Sequence, residues 1–436
     1  MLRTHTCGEL HDHCIGQTVT ICGWVQAIRD QKNMQFVIVR DHTGSVQVVH
    51  EKREDPLSAL ISTLTAESAV TVTGTVVANE KVKLGGIEVT LDALSVVSAA
   101  PPMLPITEES ALDLRLDWRF LDLRRPANHL IFRIQTAAEL AMRRYWADQG
   151  FIEIHSPKFM GSPSESGAEL FSVKYFDGTA YLAQSPQFYK QMAMAAGFDR
   201  VFEIGPVFRA NPSFTSRHDT EFTSVDTEIS WIESHDDIMK FEERWLQYVL
   251  QSIKDHYGDA IARHFGVDVI VPTVPFPRVT MEEAYAILAS GGHVLSPETH
   301  GDLDPEGERR LCAHIKEKTG HEFVFVTDYP HSVRPFYHMR HADRPTLTKS
   351  FDLLWKGLEV TTGAQREHRF DVLVKQAKEK GLSLDPIRHY LDCFRFGCPP
   401  HGGYGFGLTR MLMVLLNAKS VREVTFLYRG PNRLTP

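Results

Sequence analysis

What the chain lacks narrows the problem first. Its six cysteines, Cys7, Cys14, Cys22, Cys312, Cys393 and Cys398, form no C-x-x-C pair and no zinc-ribbon spacing. That excludes a disulfide-stapled scaffold and predicts reduced thiols in a cytosolic compartment. No apolar run approaches the length that spans a bilayer, and the N-terminal MLRTHTCGEL has no apolar core of a secretion signal, so no membrane association is expected. Excess positive charge is missing too. With a net charge of -8, any contact with nucleic acid has to come from a local basic surface. The G-K-[ST] step of a phosphate-binding P-loop is absent. His11, Asp12, His13 and Cys14 have metal-ligand chemistry, but without a second ligand pair they read as solvated surface.

What is present divides the 436 residues into at least two parts. From Thr18 to Val97, short alternating segments (TVTICGWV, MQFVIVRD, SVQVVHE, AVTVTGTVV, GGIEVTLDAL) are separated by turn chemistry, which predicts an antiparallel barrel of about five strands over residues 1–100. The Pro-rich AAPPMLPITEESALDL has no periodicity and reads as part of a linker over 101–125. Beyond it, Ile131, Ile134, Ala138, Met142 and Tyr145 recur at helical spacing, with Gly150 as the expected cap. Strands are expected in FIEIHSPKF, TAYLAQ and DRVFEIGPVFRA, and helices in PQFYKQMAMAAG and DDIMKFEERWLQYVLQSIKDHYG. Helices and strands mix without a βαβ rhythm, so 126–436 reads as an antiparallel α+β domain, with an inserted helical region around 258–320.

Three segments carry chemistry. In FRANPSFTSRHDTEF, Arg209 ends one strand, and Arg217 and His218 ride the loop before FTSVDTEISW, whose alternation predicts one apolar and one polar face. Two guanidiniums on a hairpin can reach different oxygens of one polyanion, although such charges can also be plain solvated surface. In SFDLLWKGLEVTTGAQRE, a two-residue Lys356-Gly357 turn would pair Leu354 with Glu359 and Asp352 with Thr361. Asp352 and Glu359 then share a face with no complementary charge beside them in sequence, which suits Mg²⁺. In HGGYGFGLTRMLMVLLNA, glycines lead into a helix bearing Arg410, so that backbone and dipole favour an anion. Three arginines, two carboxylates and a glycine-lined surface describe a nucleoside-triphosphate site of a non-P-loop kind.

These residues resemble class II aminoacyl-tRNA synthetases, in particular the archaeal-type aspartyl branch. FIEIHSPKF looks like motif 1, FRANPSFTSRHDTEFTSVDTE like motif 2 and HGGYGFGLTRM like motif 3; RFLDLRRP, YLAQSPQFYKQ, YPHSVRPFY and RLTP match as well. The resemblance implies ATP-dependent ligation of L-aspartate to tRNA through an aspartyl-adenylate. It implies that Arg209, Arg217 and Arg410 are catalytic, and that ATP lies among these three and Ala210, Asn211, His218, Asp219, Phe222, Gly407, Leu408 and Thr409. Aspartate would be held by Glu169, Gln187, Lys190, Arg209, Thr362 and Arg366, and Mg²⁺ by Asp352, Glu359 and Thr362. Because the two-residue turn puts Thr362 on the face opposite Glu359, that last ligand requires a bulge. The barrel is similar to an anticodon-binding OB-fold, with Gln26, Arg29, Phe36 and Gln47 toward the tRNA; Phe36 can equally be barrel core. Discriminating archaeal members tend to carry tryptophan where this chain has Gln26, which implies relaxed reading of tRNA(Asp) and tRNA(Asn) and a downstream amidotransferase for Asp-tRNA(Asn). A homodimer is implied by motif 1.

The chain departs from the family pattern at Asn211, Thr409 and Gly430. Asn211 and Thr409 motivate a rival reading, a nucleotide- or tRNA-binding regulator without turnover. Asparaginyl activity and tRNA-independent asparagine formation stand as further alternatives.

Overall fold

Alternating β-branched residues form the strands of the first part: β1 (Thr18–Asp30), β2 (Met34–Arg40), β3 (Ser45–Glu51), β4 (Ala69–Ala78) and β5 (Ile87–Ser98). They close into a barrel in the order β1-β2-β3-β5-β4. Inward positions such as Val19, Ile21, Val37, Val39, Val70 and Val72 fill it, each burial stabilising by roughly 1.5–3 kcal/mol over exposure. One pair corrects the antiparallel expectation: β3 and β5 run parallel. A helix not foreseen in the sequence, α1 (Pro56–Thr63), links β3 to β4; β4 pairs antiparallel with β1, and β5, antiparallel to β4, therefore closes the barrel parallel to β3. Asp55 caps α1 by accepting from the Ser58 backbone N–H, and Pro56 opens its first turn. Within the stretch read as linker, α2 (Leu112–Asp117) and α3 (Arg119–Asp122) are helical, with the buried Asp122 paired to Arg115 at 2.8 Å and Arg119 at 2.7 Å.

The computed structural model describes residues 1–162, 169–213, 215–296, 299 and 301–436, which divide into two compact units, Met1–His129 and Leu130–Pro436. α4 (Pro126–Asp148) leads into the second unit, and Gly150 follows it in the left-handed region. Three short strands, β7 (Phe159–Met160), β8 (Ser172–Tyr175) and β9 (Gly178–Leu182), form a small sheet of their own. FIEIHSPKF, expected as one strand, yields only β6 (Ile152–Glu153) and β7, because Pro157 removes a ladder donor between them.

The main sheet has eight strands in the order β12-β13-β14-β15-β16-β11-β10-β6. Its members are β12 (Arg278–Thr280), β13 (Phe323–Thr327), β14 (Ser350–Trp355), β15 (Leu358–Gln365), β16 (His401–Gly407), β11 (Glu221–Ser230) and β10 (Arg200–Phe208), with β6 at the edge. It is antiparallel except at the two outermost pairs, β12–β13 and β10–β6. α5 (Gln187–Ala195) precedes β10 and α6 (His235–Phe265) follows β11; α7 (Met281–Ser290), α8 (Pro305–Thr319), α9 (Phe370–Glu379), α10 (Arg388–Leu391), α11 (Leu408–Leu415) and α12 (Val421–Val424) complete the unit.

One sheet face buries the main core against α4, α6 and α11, where Trp146 stacks on Phe202 at 4.5 Å and on Trp245 at 5.1 Å. α6 starts at a Ser234–Asp237 capping box and ends at Gly266 in the left-handed conformation. It therefore runs through Gly258, where the sequence predicted a stop, since Ile261 continues its buried stripe. The rest of the 258–320 stretch is not the purely helical insertion expected: it supplies β12 of the main sheet as well as α7 and α8, whose Ala284, Leu288, Leu311 and Ile315 pack with Val324 and Val326 of β13.

Candidate active site

The opposite side of the sheet holds a cavity of about 330 Å³, within the usual range for small-molecule sites. Backbone geometry explains why it opens there. β10 and β11 pair from Arg200–Ile229 to Phe208–Glu221, and Arg209, Arg217, His218 and Asp219 of the connection between them line the cavity. Lys356 and Gly357 both adopt positive φ, which tightens the β14–β15 turn. β16 is the central strand beside them, and its glycines are required by close approach: a Cβ on Gly403 would overlap the Thr227 carbonyl and the Glu228 carboxylate. The glycine-rich segment that leads into α11 is thus itself a strand.

At one end of the cavity stand Arg209, Arg217, His218, Asp219, Phe222, Thr409 and Arg410. The Arg209 guanidinium lies 5.4 Å from the Phe222 ring centroid. Arg217 pairs with Glu308 of α8 at 2.7 Å, and Arg410 donates to the Glu359 carbonyl at 2.9 Å and sits 3.4 Å from its carboxylate. Burial, which Arg410 and the Thr409 hydroxyl only partly offset, pushes Asp219 up to about 7. Burial likewise lifts Glu308 to about 7 against the pull of Arg217. Burial and the charges of Arg410 and Arg217 hold His218 below the usual imidazole range, so it is neutral at pH 7.

The hairpin register differs from the sequence reading. Leu354 does face Glu359, but Asp352 faces Thr362, not Thr361, because Val360 is inserted as a bulge. That extra residue brings Thr362 to the same face as Glu359, and its hydroxyl donates to Glu359 at 3.0 Å. The two carboxylates are not alike. Glu359 and Thr362 line the cavity, whereas Asp352 lies behind them and carries a partner the sequence did not reveal: Arg334 donates to its Oδ2 at 2.6 Å. Asp352 Oδ1 is buried with no hydrogen-bond partner among the described residues. Burial, reinforced by Glu359, raises Asp352 to about 6. Crowded hard oxygens with an orphaned lone pair fit a divalent cation of the Mg²⁺ kind.

The other end of the cavity is a closed charge network. Arg366 donates through Nε to Glu228 at 2.9 Å and through Nη2 to the Gly403 carbonyl at 3.1 Å. Lys190 lies 2.8 Å from Asp226 and 3.4 Å from Glu228. The polar face of β11 was expected to be simply polar; Asp226 and Glu228 are instead 3% and 0% exposed, covered by these two cations. Burial would raise Glu228, but Arg366 and Lys190 hold it below the ordinary carboxylate range. His338 approaches Arg366 at 3.0 Å; burial and that guanidinium keep the imidazole neutral, its Nε2 accepting. Gln187 lines the cavity with its Nε2 unpartnered among the described residues.

Of the residues singled out in the sequence, Glu169, Gln187, Arg209, Asn211, Arg217, His218, Asp219, Phe222, Glu359, Thr362, Arg366, Gly407, Thr409 and Arg410 line one cavity. Lys190 and Asp352 do not: Lys190 is fully buried and reaches the cavity only through Asp226. Ala210 and Leu408 are adjacent to the lining without being part of it; Ala210 instead ties its N–H to the Glu169 carbonyl at 2.8 Å. Sequence reasoning missed Ser224, Asp226, Arg334, Tyr337 and His338. Arg334 was signalled by the charged centre of YPHSVRPFY. The three departures each have a local explanation. Asn211 accepts the Ser213 N–H in its turn, and Thr409 donates to Asp219 at 3.4 Å. A Cβ on Gly430 would collide with the Tyr428 hydroxyl, which donates to the His218 carbonyl.

In the barrel, Val37 and Val39 occupy the core and Phe36 lies outside it, half-exposed. Arg29 stands 5.3 Å over the Phe36 ring and donates to Gln47 Oε1 at 2.6 Å, while Gln47 donates to Glu88. Gln26 accepts from Ser45. Phe36 and Arg29 thus share one outer patch on β1 and β2, whereas Gln47 lies buried beneath Arg29 with both ends of its amide engaged, so the base-edge contact expected of it requires Arg29 or Glu88 to let go.

Residues 111–429 match the family of class II tRNA synthetases (D, K and N), and residues 19–97 match the OB-fold nucleic acid binding domain. An aspartate–tRNA(Asp) ligase of Pyrococcus abyssi is 41% identical over the full length of both chains. An aspartate–tRNA(Asp/Asn) ligase of Methanopyrus kandleri is 44% identical over 97% of this chain and 96% of its own. Among solved structures, the asparaginyl-tRNA synthetase of Pyrococcus horikoshii complexed with asparaginyl-adenylate has a TM-score of 0.93 at 32% identity, covering both chains completely.

Proposed function

We propose that this chain, which belongs to the class II tRNA synthetases (D, K and N), joins L-aspartate to tRNA in two steps. The aspartate α-carboxylate attacks the α-phosphorus of ATP, forming aspartyl-adenylate and releasing pyrophosphate. The ribose 3'-hydroxyl at the tRNA terminus then attacks the acyl carbon, and AMP leaves. The observation that carries this reading is the single cavity in which Arg209, Arg217 and Arg410 face one end and Arg366 the other.

Both reactants of the first step are anions, so charge neutralisation and alignment are the main tasks of the site. Arg209 would bridge the α-phosphate and the amino acid, and Arg217 and Arg410 would take the outer phosphates. Phe222 would exchange its Arg209 face for the adenine ring. Arg366 would meet the side-chain carboxylate directly, with Lys190 acting through Asp226. Mg²⁺, held by Glu359, Asp352 and Thr362, would supply positive charge to the phosphate oxygens when bound. The hydroxyl proton of the second step would pass to the adenylate phosphate.

Phe36, Arg29 and Gln47 supply the stacking surface and polar edges that an anticodon needs, on the strands that OB-folds use for oligonucleotides. Gln26 and the dual-specificity relative support acceptance of tRNA(Asn) beside tRNA(Asp), which would call for an amidotransferase to convert Asp-tRNA(Asn). The resemblance of motif 1 supports a homodimer. Aspartate-dependent ATP–pyrophosphate exchange with pure protein and Mg²⁺ tests the first step; no exchange would leave only a binding role. Charging of unmodified tRNA(Asp) and tRNA(Asn) side by side tests the second, and refusal of tRNA(Asn) would remove the amidotransferase.

A further inference from the structure

Outside the cavity, three residues from separate parts of the chain converge. His235 is the first residue of α6, Asp328 follows the end of β13, and His341 lies on the segment between β13 and β14. Their donor atoms all fall within 4.8 Å of one another. His341 Nε2 and Asp328 Oδ1 are 3.0 Å apart, and the His235 and His341 rings meet edge to face at 5.9 Å. Arg344 takes the other oxygen, Oδ2, at 3.0 Å, which aims Oδ1 toward the imidazoles.

His235 makes this more than an ordinary His–Asp bond. It is 8% exposed, and its Nδ1 is buried with no partner among the described residues. Leaving such a group unsatisfied costs roughly 1–3 kcal/mol. Two imidazoles and one carboxylate are the donor types that zinc-class ions take with three protein ligands and an open fourth position.

We propose that His235, Asp328 and His341 bind one divalent transition metal of the zinc class, clamping the first turn of α6 to the segment that follows β13. Zinc bonds of about 2.0–2.1 Å set tetrahedral donors about 3.3–3.4 Å apart, so the widest pair must close by about 1–1.5 Å. His235 at a helix start and His341 on a connecting segment can make that adjustment. One carboxylate and two neutral imidazoles leave a bound dication with a net charge of +1; Lys349 and Arg344 oppose it and Asp236 favours it. Arg344 is about half exposed and can turn outward while keeping Asp328 oriented. The clamp has a consequence at a distance, because the same segment carries Arg334, Pro335, Tyr337 and His338 to the cavity wall. The metal would act as a structural fastener for that wall.

The test is a titration of the full-length protein with Co²⁺ in millimolar Mg²⁺, which occupies oxygen-rich sites and leaves a nitrogen-containing one free. The expected result is one Co²⁺ per chain with visible absorption of a four- or five-coordinate ion, displaced by Zn²⁺. Affinity should fall at least tenfold in His235→Ala and in the milder His341→Gln, and hydrogen exchange over 331–349 should slow when Zn²⁺ is added. His11→Ala/His13→Ala, which removes another close histidine pair, should change nothing. Only the pale spectrum of the hexaaqua ion, or binding that both His235→Ala and His341→Gln retain in full, would overturn the proposal. Melting of each variant in EDTA separates loss of metal from loss of fold.

Discussion

The two ends of the cavity solve opposite problems with the same residue types. Where Arg366 and Lys190 meet Asp226 and Glu228, two cations and two anions cancel, all nearly inaccessible to water. Where Arg209, Arg217 and Arg410 stand, the cations are part-exposed and hold partners that a ligand can displace: an aromatic face, a carboxylate on α8 and a backbone carbonyl. Buried pairs are costly to break and fix geometry, whereas accessible ones exchange at little cost. A site that must recognise one small side chain yet admit and release a triphosphate has use for both.

Four substitutions break or sharpen this contrast, in descending order of effect. Arg366→Ala leaves Glu228 buried with only Lys190 beside it, and should cost about 3–5 kcal/mol in denaturant melts together with nearly all aspartate-dependent exchange. A stable, active variant would show that the closed end is not a unit. Phe36→Ala removes a stacking surface worth about 1–3 kcal/mol per base. It should raise the KM for tRNA by roughly ten- to a hundredfold and leave ATP–pyrophosphate exchange unchanged; an effect on exchange would mean that Phe36 is structural.

Glu308→Gln addresses the open end. The glutamate competes with phosphate for Arg217, so at pH 8 the variant should bind ATP more tightly, by about three- to tenfold, a difference of up to about 1.4 kcal/mol. At pH 6 the advantage should vanish, because a carboxyl raised to about 7 is then mostly protonated in the parent protein. The stability sign follows from the same shift: folding favours the protonated form, so the contribution is fully present below about 4.5 and is lost as pH rises through about 7. A pH-independent ATP KM ratio would contradict the competition. Gly430→Ala should have the smallest effect. Displacing Tyr428 loosens its bond to the His218 carbonyl, and we expect a stability loss of about 1 kcal/mol with a slight rise in the KM for ATP.

Legibility in the sequence follows the same division. The open end was readable because its residues sit on local features: a hairpin loop with two arginines, a Lys-Gly turn, glycines before a helix. The barrel was readable through period-two alternation, although α1 and the parallel closing pair left no such trace. The closed end was not readable as a network. Arg366 finds Glu228 138 residues away and Lys190 finds Asp226 36 away, so pairing and burial arise only in the fold. For that reason Lys190 looked like a direct aspartate ligand and Asp352 like an unpaired carboxylate. The bulge at Val360 lies between these cases: Thr362 demanded it, but only the register shows which residue is inserted.

The most direct measurement is a crystal structure with aspartate and a non-hydrolysable ATP analogue bound. The triphosphate is expected to lie against Arg209, Arg217 and Arg410, with the Arg217–Glu308 pair broken and Arg366–Glu228 and Lys190–Asp226 left as they are. A triphosphate bound elsewhere, or an intact Arg217–Glu308 pair beside a dismantled Arg366–Glu228 pair, would contradict this expectation.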